Sequence, residues 1–125
     1  MKQAVEMSGR KIDYINTHGT STHIGDIREI EAMKNYFGSD MPKFSSTKSM
    51  TGHSLGAAGV QEAIYSIIML NGGFIAPTIN VENLDAEFAG TPAVTAFEEA
   101  KLDAVMSNSF GFGGTNASLV FSRPE

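Results

Sequence analysis

A chain of 125 residues with 42% hydrophobic and 18% charged side chains is globular in composition and fits one domain or part of one. Its formal charge of −5 argues against wrapping nucleic acid, and an anionic substrate would need a local positive patch. The absence of cysteine excludes disulfides, thiolate metal sites and a cysteine nucleophile within this chain.

In chain order, Met1 to Gly9 is too polar for a signal peptide, and Lys2 to Met7 reads as the tail of a helix, so the chain looks like a fragment. Ile12 to Ile15 alternates as a strand and leads into the polar run Asn16-Thr17-His18-Gly19-Thr20-Ser21-Thr22. Ile27, Ile30, Met33 and Phe37 recur at helical spacing and predict a helix from about Asp26 to Phe37, stopped at Gly38. Phe44 to Ser46 is a short strand. It precedes Thr47-Lys48-Ser49-Met50-Thr51-Gly52-His53-Ser54.

A helix from about Leu55 to Leu70 follows. It is apolar nearly all round, which predicts burial on most sides, and Gly56 to Gly59 allow close backbone approach at its start. The longest apolar run, Ala57 to Leu70, holds Gln61 and Glu62 and is too short to span a bilayer. These features read as a soluble, cytoplasmic protein with no membrane partner. Phe74 to Asn80 is extended, Asn83 to Pro92 a loop and Val94 to Phe97 an edge strand. Ala104 to Ser109 and Ala117 to Ser122 pair as a hairpin through Asn108-Ser109-Phe110-Gly111-Phe112-Gly113-Gly114-Thr115-Asn116. The sum is one α/β layered domain over residues 1–125, with a mixed sheet and a helix sandwiched inside.

Three motifs compete for the chemistry. Gly52-His53-Ser54-Leu55-Gly56 matches the nucleophile elbow of serine hydrolases, which would use Ser54. None of His18, His23 or His53 follows Ser54, as that family's order requires, so the elbow is the weakest reading. Gly111 to Gly114 precedes a strand, not the helix a dinucleotide loop needs. His18, His23 and Asp26 offer no closed ligand set for a metal.

His18 and His53 read best as a pair. Each ends a strand among small residues, and two imidazole N–H groups can converge on one oxygen as an oxyanion-stabilising site. Lys48 would add positive charge, with Glu29 as its partner. Glu62 is a lone carboxylate in an apolar helix. It needs an opening or a polar enclosure, and Asn16, Ser107 and Asn108 could complete one around a monovalent cation.

These motifs, with Gly25-Asp26, Glu29 and the run Gly52 to Ser66, resemble the β-ketoacyl-acyl carrier protein synthases, the elongating condensing enzymes of fatty acid synthesis, and among them the bacterial type I group. The resemblance spans nearly the whole chain in the family's order. It implies a thiolase-like α-β-α-β-α architecture, of which this chain is most of the C-terminal half. It lacks the first elements of that half and all of the half that bears the nucleophilic cysteine. The implied acyltransferase reaction is a decarboxylative Claisen condensation of malonyl-acyl carrier protein with an acyl thioester.

By this resemblance His18 and His53 bind the malonyl thioester oxygen, Lys48 with Glu29 tunes the electrostatics, and Thr20 and Thr22 hold the phosphopantetheine arm. Phe112 gates the site and lends its N–H to the acyl oxyanion hole. No cofactor is needed, because the pantetheine arrives on the carrier protein. The implied partners are acyl carrier protein, the rest of the synthase chain and, in the full protein, a second copy. The chain alone is expected to be inactive. A polyketide ketosynthase subunit completed by a partner chain is the alternative.

Overall fold

The computed structural model describes residues 1–124. Helices α1 (Lys2–Ser8), α2 (His23–Phe37), α3 (Lys48–Thr51) and α4 (Ala58–Gly72) alternate with strands β1 (Tyr14–Asn16), β2 (Lys43–Ser45), β3 (Phe74–Ile75), β4 (Glu98–Glu99), β5 (Ala104–Phe110) and β6 (Asn116–Ser122). The main sheet has the order β2-β1-β5-β6; β1 is parallel to both β2 and β5, and β6 runs antiparallel to β5. The mixed α/β sheet and the closing hairpin agree with the reading of the sequence.

Strand alternation sends successive side chains to opposite faces and builds two cores. Ile15, Ile30, Met33, Phe44 and Met106 fill one between the sheet and α2, with Val5 of α1 packed against it. Tyr14, Met69, Leu70, Ile75 and Val105 fill the other, under α4. Gly59 lets α4 close on β5: a β-carbon there would stand 3.2 Å from the Ser109 hydroxyl.

Several boundaries differ from expectation. Helix α2 starts three residues earlier, after Thr22 in extended conformation, with Asp26 still in its first turn. Leu55–Ala57 is a 3-10 turn, and only then does α4 begin. In place of an edge strand over 94–97, Ala93 forms a parallel bridge to Phe44, and Glu98–Glu99 pairs with Phe74–Ile75.

The largest correction concerns α4, which is not buried on most sides. Only Ala58, Glu62, Ser66, Met69 and Leu70 are buried, whereas Val60, Ile64 and Ile68 are at least half exposed. The main sheet covers one face of this helix, and among the described residues no second layer lies on the other. No helix among the described residues is long and apolar enough to cross a membrane.

Candidate active site

Three loops meet at the carboxyl ends of the parallel strands β1, β2 and β5, where open α/β sheets hold their ligands. His18 lies two residues past β1, Lys48 opens α3 after β2, His53 follows α3, and Phe110 ends β5. The rings of His18 and His53 stand edge to face with centroids 5.5 Å apart. Phe110 adds a tilted contact to His18 at 5.9 Å.

The loop of His18 is fixed from both sides. The Glu29 carboxylate, on α2, accepts the backbone N–H of His18 and of Gly19, each at 3.0 Å. It also accepts Asn108 Nδ2 at 3.1 Å. Ser46 Oγ donates to the Gly19 carbonyl at 2.7 Å. Gly19 has φ +27°, and a β-carbon would fall 2.7 Å from Ser46 Cβ, so only glycine fits. Asn16 ties the ends of β1 and β2 together through Thr47, donating from Nδ2 to Oγ1 at 3.1 Å and accepting the Thr47 N–H.

The loop of His53 fixes that ring's tautomer. Its Nδ1 accepts the Leu55 N–H at 3.1 Å, which leaves the proton on Nε2. Leu55 reaches this position with φ +54°, a conformation that costs a residue with a β-carbon about 1–2 kcal/mol. His18 is held neutral. Partial burial pushes its pKa down to about 4, helped by the positive Lys48 and by His53. The neutral ring of His18 and the Nε2–H of His53 can thus both donate hydrogen bonds.

Lys48 does not pair with Glu29. Its ammonium bonds Glu62, and the two side chains are 4% and 3% exposed. Burial pushes the Glu62 carboxyl up, and the Lys48 charge pulls it back. Glu29 is likewise pushed up by burial, against the pull of its backbone donors.

Of the four residues expected around a cation, Asn108 faces away and bonds Glu29 and Ser118 on the α2 side of the sheet. Asn16, in register with Ser107, donates from Nδ2 to Thr47 and to the Glu62 carbonyl at 3.5 Å, and Lys48 already neutralises Glu62. Glu62 Oε2 and Ser107 Oγ, both buried, have no hydrogen-bond partner. Among the described residues no three histidine, aspartate or glutamate side chains form a metal-binding group. Ser54 is no hydrolase nucleophile here: its hydroxyl bonds Gln61, and His53 Nδ1 is already occupied.

A cleft of about 470 Å³ opens beside His53 and is lined also by Thr20, Lys48, Ser46, Thr78 and Asn80. Thr22 lies behind Thr20, with their hydroxyls 3.2 Å apart. Phe112 stands apart, fully exposed in the turn between β5 and β6. The supports that sequence reading missed are Ser46, Thr47 and the Leu55 N–H, while Asn108, expected at a cation, instead braces Glu29. Only the clustering of hydroxyl and amide residues just past β1 and β2 signalled them.

This fold, with paired imidazoles over a mixed sheet, is that of a ketosynthase. Residues 1–82 match the "Beta-ketoacyl synthase, C-terminal domain" family, and the chain belongs to it. It is 60% identical over 124 residues to 3-oxoacyl-[acyl-carrier-protein] synthase 1 of Haemophilus influenzae, covering 98% of this chain and 30% of the relative. The chain thus spans about a third of the length of such relatives. The ishigamide ketosynthase/chain length factor superposes with a TM-score of 0.93 at 34% identity, over 99% of this chain and 32% of the other. A type II polyketide acyl-carrier protein in complex with its ketosynthase, bound to the hexaketide, gives a TM-score of 0.90 at 27% identity, over 97% and 31%.

Proposed function

We propose that this chain supplies the malonyl-activating part of a 3-oxoacyl-acyl carrier protein synthase. In the decarboxylative condensation the bond from the malonyl α-carbon to its carboxylate breaks and carbon dioxide leaves. The electron pair passes into the thioester as an enolate. Nε2–H of His53 and the neutral ring of His18 donate hydrogen bonds to the enolate oxygen, which steadies negative charge without surrendering a proton. The α-carbon then attacks an acyl group held as a thioester on a cysteine, which this chain lacks, and the thiolate leaves.

Lys48 supplies positive potential beside the pair, and Glu29 keeps the His18 loop in place. Thr20 and Thr22 face the phosphopantetheine arm of the carrier protein. Phe112, exposed here, serves as gate and oxyanion-hole donor when the rest of the synthase covers it. The protein works in the cytoplasm as a homodimer, with no cofactor of its own, and 125 residues alone are inactive. The 60% identity to a fatty acid synthase enzyme, against 34% to a ketosynthase/chain length factor, favours elongation over the polyketide alternative.

The observation that carries this reading is the 5.5 Å approach of two imidazoles, one held neutral and one in a fixed tautomer. In a full-length synthase carrying this segment, His53→Ala should slow malonyl decarboxylation about 10²–10³-fold and leave acylation of the cysteine intact. Unchanged decarboxylation would overturn the assignment. This chain alone should yield no condensed product.

A further inference from the structure

Ser54 and Gln61 have no part in the reaction above, yet their side chains bond each other across the turn that carries His53. Between them lies Leu55, whose backbone is left-handed although its side chain is 80% exposed. Packing within the chain therefore does not hold that conformation. A leucine released from restraint would relax to negative φ, and its N–H would swing away from the imidazole.

Two bonds oppose the relaxation. The Ala57 N–H donates to the Ser54 carbonyl at 3.1 Å and closes the 3-10 turn from one side. The Ser54 hydroxyl donates to Gln61 Oε1, on the first turn of α4, and anchors the other side to a rigid helix.

We infer that Ser54 and Gln61 form a latch that holds Leu55 left-handed, and with it the N–H bond that orients the His53 ring. Both are positioning residues. Neither touches the cleft, and each acts through the Leu55 peptide. The consequence for turnover rests on the proposed function, but the latch itself does not.

The test is chosen to separate the two. In the 125-residue chain, labelled with nitrogen-15, the scalar coupling across Leu55 N–H···Nδ1 of His53 reports the bond directly. Ser54→Ala should weaken the coupling and speed exchange of the Leu55 amide about fivefold, as loss of one neutral hydrogen bond implies. Gln61→Met removes the acceptor from the other end and should do the same.

Glycine adopts positive φ freely. Ser54→Ala/Leu55→Gly should therefore restore the coupling without the latch, an outcome that general loosening of the fold would not produce. Persistence of coupling and exchange rate in Ser54→Ala, or failure of the glycine to restore them, overturns the proposal. In a full-length synthase carrying the segment, Ser54→Ala should lower kcat about fivefold with KM little changed. Weakened coupling without loss of kcat would leave the latch standing and count against the catalytic role of His53.

Discussion

In the proposed function His18 donates a hydrogen bond without giving up its proton, which a neutral imidazole does. His18 meets this condition by position, because partial burial and the nearby Lys48 both disfavour its charged form. The same shift links to stability. The unfolded chain takes up a proton near the ordinary 6.5, the folded chain only near about 4, so between those values the unfolded state binds more protons. Stability from this group therefore rises with pH across that window, is flat above it, and is lost on acidification. Glu29 and Glu62, pushed up by burial, work in the opposite sense, so the comparison must be made against a variant. Urea midpoints from pH 4 to pH 7 should fall more steeply on acidification for the parent chain than for His18→Gln. A His18 that titrates near 6.5 by NMR would contradict the account.

At the scale of elements, the Lys48–Glu62 pair joins α3 to α4, with both side chains nearly fully buried. Removing one member of such a pair strands the other as a buried charge, at a cost of about 3–5 kcal/mol, while replacing both by apolar groups relieves most of that. Lys48→Met and Glu62→Gln should each lower the unfolding free energy by about that range, and Lys48→Met/Glu62→Leu by much less. Additive losses in a urea double-mutant cycle would show that the two are not coupled.

This pair also marks where the sequence could not be read. Lys48 has two candidate carboxylates, Glu29 and Glu62, and spacing does not choose between them; the β1 end places Glu29 under the His18 loop and leaves Glu62 for the lysine. The expected cation cluster loses Asn108 for a related reason. Neighbouring strand residues face opposite ways, so Ser107 and Asn108 cannot both point at Glu62. What was legible was local: the periodic stripe of α2, the β5–β6 hairpin, and His18 just past β1, whereas His53 does not end a strand but follows the short helix α3. The two-residue pairing of β3 with β4 was illegible because such short strands carry no alternation to detect.

For the molecule as a whole, the informative feature is that α4 has an apolar stripe on each side but only one sheet to pack against. Met69 and Leu70 look inward, while Val60, Ile64, Ile67 and Ile68 recur at helical spacing on the open face. The all-round apolar composition of this helix predicted burial on most sides, and among the described residues one side is covered. A continuous apolar face is driven to leave water, and the buried Glu62 puts no repelling charge on it. The isolated chain should therefore self-associate, sedimenting as species larger than the monomer at micromolar concentration. Ile64→Lys/Ile68→Lys should shift it to monomer and change the unfolding free energy by no more than about 0.5 kcal/mol per site, because half-exposed side chains contribute little to the fold. Met69→Ala, at a position 1% exposed on the inward face, should instead cost about 2–5 kcal/mol without altering association. If the lysine pair unfolds the chain and the inward alanine does not, the assignment of the two faces is reversed. If neither alters sedimentation, the open face is not what brings copies together.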